Sequence, residues 1–437
     1  MKKVISVVLL VGATAFGQST LPLTVEKAIQ LGLENSKTLH SSLMKVEYND
    51  AKAGEVNAAR LPSLKFSGGY TRLSDIPPFD IGPYPPLLTT PVTISSAVLD
   101  NYSMKLSLTQ PLFTGFRMDA MSKAADYTAE AQNFEFARDK SDLVYNIQVA
   151  YWSLYKARQI KKVVDENVEQ VKAHLKDVQN MMDQGMTTNN DVLKVEVQLS
   201  DVQLRQIDAN NGVRLAMVGL NNTIGIPLST EISLESEIAL SPKEDKDLNA
   251  LIEQAMEKRP ELKAMESRAK AGEEGVMAAR SGWFPQIYLA GNYYYSRPNQ
   301  RIFPAIDAFK DTWDVTVGVS LDIWNWGTTV HQTDQAQAQL AQAQDAVGLI
   351  KDGITLDLTQ AYLNLQQASE RISVADNGVK QAEENHRVTT MRFNAGLAST
   401  SDLLDAEVAL LQAKTNQTNA LVDFELAQAR IEKAIGE

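Results

Sequence analysis

The sequence predicts an α+β membrane protein built on an internal duplication, in which long coiled-coil helices alternate with a few amphipathic strands that several chains must share. Three observations carry this expectation. One turn is written twice, long proline-free stretches carry heptad seams, and four short segments alternate apolar with polar residues.

The duplicated turn reads "MDQGMTTNNDVLKVEVQL" from Met182 to Leu199 and "FNAGLASTSDLLDAEVAL" from Phe393 to Leu410. Sliding the chain by the spacing of Gly185 and Gly396, 396 − 185 = 211, also places Asp191 on Asp402, Glu196 on Glu407 and Leu199 on Leu410. Ala150-Tyr151 falls on Ala361-Tyr362, Val168 on Val379, Gln170 on Gln381 and Gly225 on Gly436, with no gap. "AKAGEVNAAR" (Ala51 to Arg60) and "AKAGEEGVMAAR" (Ala269 to Arg280) extend the duplication. The expected organisation is a first repeat over 18–227, a joining segment over 228–247 and a second repeat over 248–437.

Ahead of the first repeat, "MKKVISVVLLVGATAFGQ" joins Lys2 and Lys3 to an apolar run and small residues, which reads as a cleaved secretion signal over 1–17. The chain has no cysteine, which rules out disulfide staples, thiolate metal sites and a lipid anchor on cysteine. With 44% hydrophobic and 22% charged residues it belongs among folded proteins. Its net charge of −12, or −14 once the two signal lysines are subtracted, argues against nucleic acid and anionic lipid headgroups as partners. Beyond the signal no run of 18 apolar residues occurs, so any meeting with a membrane falls to strands.

Leu112 to Ile226 and Ala305 to Glu437 contain no proline. Ala150, Leu154, Ala157, Lys161, Val164, Val168, Val171, Leu175, Val178 and Met182 follow 3-4 spacing there, a seam that requires partner helices. The spacing resumes beyond Gly185 at Val192, Val195, Leu199 and Val202, and in the copy at Leu403, Ala406 and Leu410. A helix from about Gly115 to Gln184 would hold roughly 70 residues and run about 105 Å at 1.5 Å each.

Strands are expected at 64–73, 102–110, 286–296 and 313–323. "NYSMKLSLTQ" sets Tyr102, Met104, Leu106 and Leu108 against Ser103, Lys105, Ser107 and Thr109. "DTWDVTVGVSLDIW" sets Trp313, Val315, Val317 and Val319 against Asp314, Thr316, Gly318 and Ser320, the outer-membrane strand pattern. Phe113, Phe116, Trp283, Trp313, Trp324 and Trp326 near strand ends are candidate membrane-interface aromatics. A lipid-exposed sheet must close, and four strands are too few; two chains would supply eight and three would supply twelve.

The signal, the opening "LTVEKAIQLGLENSKTLH", the helix-strand-strand-helix plan used twice and the Gly-x5-Asp turns together resemble the TolC family of outer-membrane efflux proteins over essentially the whole chain. The resemblance implies a homotrimer, a shared 12-stranded outer-membrane β-barrel and a twelve-helix coiled-coil periplasmic tunnel. It implies two periplasmic tips per chain that meet a periplasmic adaptor protein, itself bridging to an inner-membrane transporter. Asp402 and Asp405 match the family's constriction aspartates, with Asp191 as the first-tip counterpart. Phe393 stands where the family has a gating tyrosine, and Ala398 where it has a latching arginine. Gln184-Gly185-Met186 and Ala395-Gly396-Leu397 resemble the element that contacts the adaptor. Helix capping is the competing reading for Asp191, and it fits Asp402 equally well.

His40, His174, His331 and His386 are scattered, and His174 and His386 have no second histidine at i+3 or i+4, so they read as packed or solvated and no metal or cofactor is expected. No nucleophile, base and oxyanion set emerges. The leading expectation is therefore a passive outer-membrane exit duct of a tripartite efflux pump. The same architecture would serve a type I protein-secretion system, and a secreted coiled-coil scaffold is the reading from another class.

Overall fold

A computed structural model describes residues 20–75, 77–95, 98–236, 238 and 247–436. The expected signal over 1–17 and most of the joining segment after 238 lie outside the described residues. The first half runs β1 (Leu21–Leu23), α1 (Val25–Asn35), α2 (Lys37–Ala58), β2 (Ser63–Arg72), β3 (Phe79–Ile81), β4 (Val92–Ser95), β5 (Asp100–Thr114), α3 (Arg117–Asp183) and α4 (Asn189–Thr223). The second runs β6 (Ile232–Leu234), α5 (Leu248–Lys258), α6 (Pro260–Arg280), β7 (Gln286–Arg297), β8 (Lys310–Ser320), α7 (Thr328–Asn394) and α8 (Thr400–Ile435). Both α3 and α7 have 67 residues. Among the described residues no helix is long and apolar enough to cross a membrane.

Two compact units result, one of residues 44–135 and 261–350, the other of 1–43, 136–260 and 351–437, so each draws on both sequence halves.

The first unit carries an antiparallel sheet in the order β2-β5-β7-β8. Its register aligns Phe66, Leu106, Tyr293 and Trp313 across the four strands, and beside them Leu64, Leu108, Gly291 and Val315. Because side chains alternate faces along a strand, these residues share one surface, and it stands open: Phe66 is 66% exposed and Trp313 71%. On the other surface Ser107 donates to Asn292 at 2.9 Å, and Asn292 donates to Asp314 at 2.8 Å. The alternation in the sequence thus becomes one apolar and one polar sheet face.

The strand ends differ from the sequence expectation for local reasons. β5 continues to Thr114 through Pro111, with the register shifting between Pro111 and Phe113, a bulge that accommodates a residue with no N–H to give. β8 covers 310–320 instead of 313–323, although the alternation persists through Leu321 and Ile323. Its partner β7 begins at Gln286, paired with Ser320 and preceded by Pro285, so the ladder has nothing further to bond. The β3–β4 hairpin lies between β2 and β5, where no strand is expected from the sequence.

Both strand-to-helix junctions use two successive left-handed residues, Gly115-Phe116 (φ 60° and 67°) and Trp326-Gly327 (φ 54° and 78°). These positions are 211 apart, 326 − 115 = 211, with glycine and aromatic exchanged. The strain on the aromatic residue, about 1–2 kcal/mol, is offset by ring packing: Phe116 lies 5.2 Å from Phe113 and 5.6 Å from Phe284, and Trp326 lies 5.7 Å from Trp324.

In the helical unit, β1 and β6 form a short parallel pair that the three-residue "LPL" could not announce. The fully buried Tyr151 reaches it, its hydroxyl donating to the Leu23 carbonyl at 3.0 Å and accepting from the Ser236 N–H at 3.1 Å. Gln206 of α4 donates to Asp165 of α3 at 2.8 Å, and Gln417 of α8 to Asp376 of α7 at 2.8 Å, the same bond 211 residues on. Between the hairpins, α3 and α8 run antiparallel and are joined by Asp142–Lys433 at 2.6 Å, Lys156–Asp423 at 3.7 Å and Glu166–Lys414 at 3.3 Å.

Gly225 ends α4 with φ +74°, and a Cβ there would lie 2.8 Å from Asn35 Cβ; at Gly185, φ +72°, a Cβ would meet nothing within 4 Å. Gly185→Ala is expected to cost about 1–2 kcal/mol, the left-handed penalty alone. Gly225→Ala adds the clash, so thermal denaturation should show the larger drop in melting temperature for Gly225→Ala.

Candidate functional site

The two hairpin turns are built alike. At the end of α3 the Gly185 N–H donates to the Met182 carbonyl at 2.9 Å and the Met186 N–H to Met181 at 2.8 Å. At the end of α7 the Gly396 N–H donates to Phe393 at 2.9 Å and the Leu397 N–H to Arg392 at 2.7 Å. These paired bonds around a left-handed glycine satisfy the last helix carbonyls and turn the next side chain outward. Met186 is 65% and Leu397 70% exposed, and Gly185, Ala395 and Gly396 are exposed beside them. Each tip therefore presents one large apolar side chain on a rigid, self-satisfied turn.

The returning helices start with capping boxes, Thr188 with Asp191 and Ser399 with Asp402. Asp191 Oδ2 accepts from the Thr188 hydroxyl at 2.7 Å and the Thr187 hydroxyl at 3.0 Å. Asp402 Oδ2 accepts from the Ser399 N–H and hydroxyl, both at 2.8 Å. The Thr188 hydroxyl chiefly, with Thr187 and Lys194, holds the Asp191 carboxyl down at about 2. The Ser399 N–H and then its hydroxyl lower that of Asp402. Capping is thus what both aspartates do within one chain.

The tips differ in charge one turn further on. Lys194 lies 3.2 Å from Asp191 and neutralises it. The position 211 residues later, 194 + 211 = 405, is the exposed Asp405. At this position the first tip has a base beside its capping acid, whereas the second has a further acid, and Arg392 is the base whose charge also lowers the Asp402 carboxyl.

Phe393, expected at a constriction, is buried here with Val168, Val171, Val178, Val192, Val195 and Leu403, and Ala398 packs against the same cluster. Its ring meets the His174 ring edge-on at 5.1 Å. His174 is packed, one of the two alternatives read from the sequence, and it faces a buried carboxylate, Glu407, that the sequence reading passed over. Its position three residues after Val171 and four before Val178 was the available signal for burial. Nothing local could name a partner in the other half of the chain.

In the sheet unit, Phe116, Trp283, Trp324 and Trp326 are exposed near the strand-to-helix junctions with Phe113 half-buried among them, while Trp313 sits toward the opposite end of β8. The described residues contain no cluster of three or more metal-ligating side chains.

A sheet with an open apolar face, together with paired helical hairpins closed by capped and apolar-tipped turns, defines a channel-forming protein of the outer membrane. The chain belongs to the outer membrane efflux protein family, whose family model matches residues 28–226 and 251–437. It is 22% identical over 418 residues to the outer membrane efflux protein BepC of Brucella suis, covering 94% of this chain and 86% of BepC. It is 22% identical over 315 residues to the outer membrane protein TolC of Vibrio cholerae, covering 71% of this chain and 72% of TolC. The crystal structure of the outer membrane protein VceC of Vibrio cholerae superimposes with a TM-score of 0.79 at 18% identity, over 94% of this chain and 96% of VceC. Proteins of this class are conduits of the Gram-negative outer membrane that extend into the periplasm, not enzymes.

The capped tip carries an acid signature. A carboxyl whose folded-state pKa is depressed contributes stability above its ordinary value of 3.8, and that contribution is lost as the pH falls through about 2. Pepsin cleavage within 184–190 should therefore rise between pH 4 and pH 2, and in Asp191→Asn it should begin higher and change less.

Proposed function

We propose that three copies of this chain form the outer-membrane exit duct of a tripartite pump, with a shared 12-stranded barrel continued by a twelve-helix tunnel. The carrying observation is the sheet: β2 and β8 each have one partner strand, and the face between them is apolar and open. In hydrocarbon each unsatisfied backbone group costs several kcal/mol. β8 of one copy beside β2 of the next removes that cost, and the resemblance to the TolC family favours three copies over two. The polar face with Ser107, Asn292 and Asp314 then lines the lumen. Phe113, Phe116, Trp283, Trp324 and Trp326 serve one membrane interface and Trp313 the other.

In that trimer the repeats 18–227 and 248–437, joined by 228–247, supply six similar tips, and the signal over 1–17 directs the chain to export. Asp402 and Asp405 bring six carboxylates to the constriction, with Asp191 capping the first tip beside Lys194 and Phe393 packed behind the second. Like charges so gathered require cations. Gly185, Met186, Ala395, Gly396 and Leu397 form the docking element for a periplasmic adaptor, and an inner-membrane transporter supplies the energy. The duct carries small molecules passively and uses no cofactor.

Purified protein in a planar bilayer should show a small, cation-preferring conductance from heat-resistant trimers. Asp405→Ala should reduce that preference more than Asp191→Ala, and equal effects would remove Asp405 from the constriction. Gly396→Glu should abolish export while trimers persist. Unimpaired export by that variant would exclude adaptor docking at the second tip.

A further inference from the structure

We infer that His174 and Glu407 form a buried clasp, set by protonation, that holds the two hairpins of one chain together behind their tips. The inference rests on the tip-gated duct proposed above.

The rungs joining α3 to α8 lead to this pair. Asp142–Lys433, Lys156–Asp423 and Glu166–Lys414 are permanent charges with partly exposed side chains. The next rung toward the tip is His174 Nδ1 to Glu407 Oε1 at 3.5 Å, with the side chains only 2% and 3% exposed. Among the described residues neither imidazole nitrogen has a hydrogen-bond partner, and neither does Glu407 Oε2. A carboxylate so placed is tolerated when a positive charge faces it and is costly when none does. This rung alone depends on a proton.

No other charge takes the place of the imidazolium. The cluster around the pair is apolar, with Val171 and Val178 on α3, Val195 on α4, Phe393 on α7 and Leu403 on α8. The ionisable groups at this level are Lys172, Lys176 and Asp177 on α3, Lys194 and Glu196 on α4, Glu383, Glu384, His386, Arg387 and Arg392 on α7, and Asp402 and Asp405 on α8. All are exposed except His386, which is half-exposed. Lys172 is engaged by Glu169, Lys194 by Asp191 and Arg387 by Glu384, while Arg392 donates to the Leu397 carbonyl.

The duplication supplies a control. The counterpart of His174 is Asn385 (174 + 211 = 385) and that of Glu407 is Glu196 (407 − 211 = 196), and both are exposed. The second copy keeps the carboxyl but has no histidine, so a proton-dependent pair is confined to the α3–α8 interface.

The direction follows. With the imidazole protonated and the carboxylate ionised, the pair attracts and the hairpins stay together. Loss of the imidazole proton, which higher pH favours, leaves Glu407 without a counter-charge, and the arrangement that hydrates it gains.

The test is the conductance of reconstituted trimers from pH 5.5 to 8.5 for the wild type, Glu407→Gln and His174→Asn. Wild-type conductance should rise severalfold with pH across this range. Both substitutions should flatten that profile. The double change His174→Phe, Glu407→Leu removes both buried polar groups and should give heat-resistant trimers with a low, flat conductance. A pH slope retained in either single variant, or absent from the wild type, would overturn the clasp and leave the duct standing. Folded trimers that pass no current at any pH would overturn the duct itself, and the clasp with it.

Discussion

Backbone groups have no partner in hydrocarbon other than one another, and the arrangement of this chain follows from that constraint. A strand pair with one apolar face can be placed in lipid only as part of a closed sheet, yet each half of the chain contributes one pair. In the proposed trimer closure is delegated to assembly. The apolar face, which would be a liability in water, becomes the surface that lipid covers.

The helical unit answers a different demand. Four helices form two hairpins side by side, and polar contacts mark chosen heights, Asp165 with Gln206 and Asp376 with Gln417 within the hairpins and the charged rungs between α3 and α8. Such partly exposed contacts are each worth little, about 0–1 kcal/mol for a surface ion pair. An interface held by many weak contacts can slide or part without unfolding its helices, as the proposed duct requires at its tips.

Much of this was legible in the sequence because it repeats or alternates. The 211-residue offset found the matching turns, the strand alternation found the faces, and the Gly-x5-Asp spacing found the capped tips. The features that escaped are those in which one half meets the other. The β1–β6 pair joins segments of three residues, too short to show a period. The end of β8 is set by where β7 starts, not by its own pattern. Phe393 is marked in the sequence only by the family's tyrosine position, and its packing against Val168, Val192 and His174 joins the two halves in a way no local pattern shows. Glu407 reads as one more helix glutamate until α3 is laid beside it.

Lys194 and Asp405 occupy the same place in the two copies of the turn, and the exchange of base for acid has a consequence for how such a pore can evolve. A ring of six identical hairpins from separate chains would have to carry the same residue at every tip, so any acid chosen for the passage would face five copies of itself. Fusing two hairpins into one gene releases that restriction. In the proposed trimer three tips can be tuned for the traffic that passes between them while the other three keep charges of their own, and a mutation in one set leaves the other unchanged.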